Sequence, residues 1–227
     1  MIKGVIFDVG GVLAYDVWEH LLCDPPGDPT SVSAKYGVPA DQMEAIGDAL
    51  WRAFDCRAGN PDELEKEYWD QFVERSRAFP QLTSLPIQDF LSMTDDFIRP
   101  VDPVGTTGLF EWLTNKGVHL GICSNNNEFW FRRQAQRLNL YRFFPEKNVT
   151  LSCRHGFTKS DSRLFHVAVA ALGLHPVDCV FVDDRMGNVS RSIDCGMVGI
   201  FFPTEQFPAK PQRGAQYLRR VLRDLLK

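Results

Sequence analysis

The feature that most constrains this chain is a rhythm. Short apolar runs bounded by glycine or polar residues recur at positions 5–7, 118–123, 149–153, 179–182 and 198–202, and each reads as a buried strand. Between them stand segments of helical period at 106–116, 128–140, 160–172 and 186–195. Three of these run into a glycine suited to a left-handed helix end, Gly117, Gly173 and Gly196. Strands joined by helical crossovers pair in parallel, so the expected class is α/β, a Rossmann-like parallel sheet flanked by helices.

Residues 16–96 break the rhythm. They hold few β-branched runs and show amphipathic helical stretches at 41–54 and 62–77. The expected organisation is therefore a body made of residues 1–15 and 97–227, with residues 16–96 inserted after the first strand as a helical cap. Consecutive prolines and a glycine make 24–29 a loop within the insert, and 99–103 reads as the return hinge. At the far end Leu218, Val221, Leu222 and Leu225 share one face of a basic helix over 215–227. That stripe is expected to dock on the body's own core rather than on a membrane or a partner.

The net charge of -4 argues against a general binder of nucleic acid. The charge is unevenly spread: residues 16–96 carry 17 acidic against 6 basic side chains, and the remainder 12 against 19. The body is thus the better host for an anionic ligand. No apolar stretch is long enough to cross a bilayer and Asp8 interrupts the opening apolar run, so a cytoplasmic protein is expected. The six cysteines form no C-x-x-C pair and read as reduced, largely buried thiols. Sequence pattern does not separate an exposed apolar face from a buried one, so no oligomeric state follows.

Three strands end in a side chain that can do chemistry: Asp8 after 5–7, Ser124 after 120–123, and Asp183-Asp184 after 180–182. In an open parallel sheet ligands bind beyond the carboxyl ends of the strands, which brings these residues to one crevice. Each alone is ordinary turn or capping chemistry. With Lys159 added, four segments in order resemble the motif set of the haloacid dehalogenase-like hydrolases. They are Phe7-Asp8-Val9-Gly10-Gly11-Val12-Leu13, Cys123-Ser124-Asn125-Asn126, Gly156-Phe157-Thr158-Lys159-Ser160-Asp161 and Val182-Asp183-Asp184-Arg185-Met186-Gly187-Asn188. Within that group the chain is most similar to the phosphatase domain of soluble epoxide hydrolase and to small sugar phosphatases.

The resemblance implies a role for each residue. Asp8 is the carboxylate nucleophile. Asp8, Asp183 and Asp184, with the backbone of Gly10, hold Mg²⁺. Ser124, Asn125 and Lys159 hold the phosphoryl group, and Lys159 also offsets the charge on Asp8. Asn188 orients the acidic pair, and the substrate is a small phosphorylated metabolite. One position departs from the pattern, because phosphatases of the family carry a general acid and base two residues after the nucleophile, where this chain has Gly10. Asp16, His20 or His155 is expected to supply the proton instead, and Trp18, Arg52 and Arg57 of the insert to reach the substrate. Two other readings share the motifs: a 2-haloacid dehalogenase, consistent with Gly10 but not with the Asp183-Asp184 pair, and a non-catalytic binding or regulatory relative.

Overall fold

The computed structural model describes residues 1–14, 31–97, 108–204 and 211–227. Five strands, β1 (Gly4–Phe7), β2 (His119–Ser124), β3 (Val149–Leu151), β4 (Cys179–Asp183) and β5 (Val198–Phe201), form one parallel sheet in the order β3-β2-β1-β4-β5. The strand with the shortest apolar run is the central one. Its residues alternate between two cores: Val5 and Phe7 pack with one buried cluster, and Ile6 with a second that includes Phe165, Phe181 and Met197. Burial on both faces is why these strands read as continuous apolar runs rather than as polar–apolar alternation.

The crossovers are α6 (Leu109–Asn115), α7 (Glu128–Leu138), α9 (Arg163–Ala171) and α10 (Met186–Asp194). Gly117, Gly173 and Gly196 follow three of them with φ of 75°, 67° and 89°, the left-handed ends read from the sequence. Helix α11 (Pro211–Leu225) buries Leu218 and Leu222 in the main core, with Val221 and Leu225 packed beside them. The apolar stripe is thereby spent on the body itself. Among the described residues no helix is long and apolar enough to cross a membrane.

Several boundaries shift by one to three residues, and two of the shifts have a clear local cause. The third strand ends at Leu151 rather than at 153, because the chain turns at once into a short helix, α8 (Ser152–His155). Helix α9 opens at Arg163 rather than at 160, since the Asp161 N–H bonds the Thr158 carbonyl at 2.9 Å and the Asp161 carboxylate accepts the Arg163 N–H at 2.9 Å. A turn takes up the residues between.

Between β1 and α6 the described residues form five helices, α1 (Val32–Tyr36), α2 (Ala40–Phe54), α3 (Pro61–Arg75), α4 (Pro80–Thr83) and α5 (Ile87–Phe97). Helix α3 starts where the sequence supplies Asn60 as a cap, its Oδ1 accepting the Asp62 N–H at 2.9 Å, with Pro61 in the first turn. These helices are fastened to the body through α7. Tyr68 lies edge-on to Phe129 at 5.0 Å, Trp69 meets Trp130 at 6.1 Å and Phe90 at 5.1 Å, and Phe54 packs on Tyr68 at 5.4 Å. Edge-to-face pairs add about 0.5–1.5 kcal/mol each beyond the area they bury. Arg132 of α7 pairs with Asp62 of α3 at 3.0 Å on the rim. The loop at 24–29 and the hinge at 99–103 lie outside the described residues.

Because one aromatic cluster belongs to both parts, Trp69→Ala should lower stability by about 3–5 kcal/mol and leave a single unfolding transition. Calorimetry checks this, and a separate early transition for the inserted helices would contradict it.

Candidate active site

Asp8 stands one residue beyond β1, and its N–H continues the ladder to the Val182 carbonyl at 2.9 Å. The nucleophile candidate is thus set by the central strand and by β4 together. Its Oδ1 accepts the N–H of Val9 at 2.7 Å. Its Oδ2 lies 2.5 Å from the Lys159 ammonium, which also donates to Asp183 Oδ2 at 2.6 Å. Asp8 is 7% exposed, Lys159 2% and Asp183 0%. A lysine so enclosed is tolerable only because two carboxylates face it. The ring of Phe181 lies 5.7 Å beneath the ammonium.

The other expected residues gather here as well. The Ser124 side chain, at the end of β2, lies close enough to the Asp8 carboxylate to favour its charged form, while its hydroxyl is 3.5 Å from the Asn125 carbonyl. Asn125 is turned to support, since its Oδ1 accepts the Lys159 N–H at 2.8 Å. Asn188 Nδ2 reaches both oxygens of Asp183 at 3.1 and 3.2 Å, and the Arg185 N–H donates to Asp183 Oδ1 at 2.8 Å. Gly10 sits in the turn after Asp8, bridged to Ala14. Asp8, Asp183 and Asp184 each offer an oxygen within 4.8 Å of one another.

Three carboxylates thus converge beside one buried ammonium, and the hard oxygens they offer suit a divalent cation such as Mg²⁺. Burial pushes the Asp8 carboxyl up to about 6, the Lys159 ammonium opposing and the Asp183 charge reinforcing the shift. For Lys159 burial pulls the other way, but Asp8 and Asp183 outweigh it and hold the amine protonated.

Several residues that shape the site carried no signal of their own. Gly11, at φ 75°, lies against the Asp184 carboxylate, where a Cβ would overlap the oxygen. The Thr204 hydroxyl donates to the Gly11 carbonyl and ties the turn to the segment after β5. Of the proposed proton donors, Asp16 and His20 lie outside the described residues, as does Trp18. His155 is exposed at the end of α8, its ring 5.9 Å from that of Phe157. Arg52 pairs with Asp48 at 3.4 Å, and Arg57 grips both oxygens of Glu67 at 2.5 and 2.7 Å, so both are engaged within the inserted helices.

A parallel α/β sheet with reactive carboxylates and a buried ammonium at the carboxyl ends of its central strands defines an enzyme of the Rossmann-like type. Residues 2–190 match the haloacid dehalogenase-like hydrolase family, and the chain belongs to it. Over 202 residues it is 41% identical to flavin mononucleotide hydrolase 1 of Arabidopsis thaliana, covering 88% of this chain and 75% of that protein. It is 26% identical to the glyceraldehyde 3-phosphate phosphatase of Methanothermobacter thermautotrophicus, covering 90% and 87%. Its fold is shared with a family enzyme of Bacteroides thetaiotaomicron solved with magnesium and inorganic phosphate, at TM-score 0.64 and 15% identity over 88% of this chain and 94% of that one.

A carboxyl whose folded pKa is raised adds stability below its unfolded value near pH 4 and loses it as the pH passes about 6. Without divalent cations the stability of Asp8→Asn relative to the native protein should therefore rise with pH, by up to roughly 3 kcal/mol between pH 4 and pH 8, against the fixed cost of taking one counter-charge from Lys159. Lys159→Met should instead cost about 3–5 kcal/mol at neutral pH, because it strands two buried carboxylates. Urea titration of the three proteins across that range checks both signs.

Proposed function

We propose that the protein is a Mg²⁺-dependent phosphatase that hydrolyses a small phosphate monoester through an aspartyl-phosphate on Asp8. The observation that carries this reading is the shared ammonium: Lys159 bridges Asp8 and Asp183 in a buried cluster, with the Asp184 carboxylate beside them. A carboxylate held that way is poised to attack an anionic centre once a cation joins it.

Asp8, Asp184 and Asp183 would hold the cation together with the Gly10 carbonyl, and bound there Mg²⁺ supplies charge neutralisation between two anions. The remaining work falls to the chain. An Asp8 oxygen forms a bond to phosphorus as the ester oxygen departs with the electron pair and takes up a proton. Water then attacks the same phosphorus, the bond to Asp8 breaks, and phosphate leaves with the carboxylate restored. Lys159 stays protonated throughout and balances charge on Asp8 and on the transferring group. Ser124 offers its hydroxyl to the phosphoryl oxygens, and Asn188 keeps Asp183 turned toward Lys159. The inserted helices serve as the cap that covers the substrate's leaving portion.

Gly10 has no side chain to protonate the leaving group, so poor leaving groups should be slow by about 10²–10⁴ relative to an enzyme with a general acid. The same residue favours a second reading, a dehalogenase in which Asp8 attacks carbon. The paired Asp183 and Asp184 support the phosphatase over it, as do the activities for which the two relatives are named. Those names make FMN and glyceraldehyde 3-phosphate the first members of any substrate panel.

p-Nitrophenyl phosphate should be hydrolysed faster than alkyl phosphates, with activity lost in EDTA and regained with Mg²⁺. Asp8→Asn should lower kcat by more than about 10³-fold. Chloride release from 2-chloropropionate without metal would instead select the dehalogenase, and inactivity on every panel member would reject both.

A further inference from the structure

Strands β2 and β3 pair in parallel as far as Ser124 and Leu151. Beyond that point a side chain takes over the ladder. The Asn126 N–H donates to the Ser152 hydroxyl oxygen at 2.9 Å, and the Cys153 N–H donates to the Asn126 carbonyl at 3.4 Å. The Ser152 hydroxyl has two acceptors within reach. One is the carbonyl of Asp55, the residue that ends α2 in the inserted helices, at short range; the other is the Asn126 carbonyl at 3.2 Å. Ser152 is fully buried. A hydroxyl has one proton, so it can satisfy only one of these carbonyls at a time.

The loop 124–127 that Ser152 grips holds the site on every side. Ser124 lies beside Asp8, and Asn125 fixes the backbone of Lys159. The Asn126 side chain donates to Gln134 at 2.7 Å, and Asn127 caps α7 by accepting the Trp130 N–H at 2.9 Å. Helix α7 is the one on which Tyr68 and Trp69 of the inserted helices dock.

We propose that Ser152 is a positioning residue that couples docking of the inserted helices to the geometry of the loop 124–127. With those helices docked, the Ser152 proton goes to Asp55, and the hydroxyl oxygen holds the Asn126 N–H. When they withdraw, the proton turns to the Asn126 carbonyl and the hydrogen bonding of the loop changes with it. The loop that carries Ser124 and Asn125 therefore takes its working arrangement only under a seated insert. The kinetic consequence rests on the phosphatase reading above, whereas the coupling itself does not.

Ser152→Ala tests it in two independent ways. Native-state hydrogen exchange should accelerate by more than about tenfold both in residues 124–127 and in residues 54–57, while β4 keeps its protection. Acceleration confined to 124–127 would overturn the coupling, as would an equal change in β4. On p-nitrophenyl phosphate with Mg²⁺, kcat per folded molecule should fall about tenfold with little change in KM, since the groups that hold phosphate remain but are misaligned. An unchanged kcat would overturn the positioning role. A wild-type enzyme silent on all phosphate esters would instead sink the phosphatase reading, and the exchange result would still decide the coupling.

Discussion

The structure depends on one buried ammonium. Lys159 sits between Asp8 and Asp183 with almost no access to water, and its contacts at 2.5 and 2.6 Å join the central strand to its neighbour β4. The two carboxylates offset the buried ammonium, and removing the lysine would leave them facing each other without its counter-charge. The remainder of the site is arranged around keeping the three in register. Asn125 anchors the lysine's backbone, Asn188 and the Arg185 N–H fix Asp183, and the Val9 N–H holds one oxygen of Asp8. The convergence of Asp8, Asp183 and Asp184 around that lysine links the fold to its chemistry.

Around that centre the inserted helices form a second layer held by dispersion and ring geometry rather than by charge. Tyr68 and Trp69 seat on Phe129 and Trp130 of α7, whose first turn follows directly from the loop bearing Ser124. The acidic insert and the basic body meet at ion pairs such as Asp62 with Arg132. Exposed pairs of that kind contribute about 0–1 kcal/mol, so the charge asymmetry of the sequence orients the two parts more than it binds them. Ser152 lies where this layer meets the site and is the most direct polar link between them.

Much of this was legible in the sequence because the physics is local. Apolar runs ending at Asp8, Ser124 and Asp183 marked strand ends, and an open parallel sheet leaves one place for such ends to converge. Glycines after helices fixed where they stop. What could not be read depends on contacts far apart in the chain. Ser152 looked like the inside of a strand, since nothing nearby discloses that its hydroxyl faces Asp55, 97 positions away. Gly11 differs from Gly10 only in having the Asp184 carboxylate against it. Arg57 looked free to meet a substrate, but Glu67, ten positions further on in α3, accepts from both ends of its guanidinium. The overall charge balance made the body the better host for an anion, whereas the site itself gathers three carboxylates beside one lysine.

The central claim is that Asp8 becomes covalently phosphorylated. The most direct measurement is a rapid acid quench of the enzyme turning over p-nitrophenyl phosphate with Mg²⁺, followed by borohydride reduction and peptide mass spectrometry. The account predicts that residue 8 is converted to homoserine, the reduction product of an acyl phosphate, only when substrate and Mg²⁺ are both present. Turnover with residue 8 left unmodified, or with the phosphoryl group carried on another side chain, would contradict it.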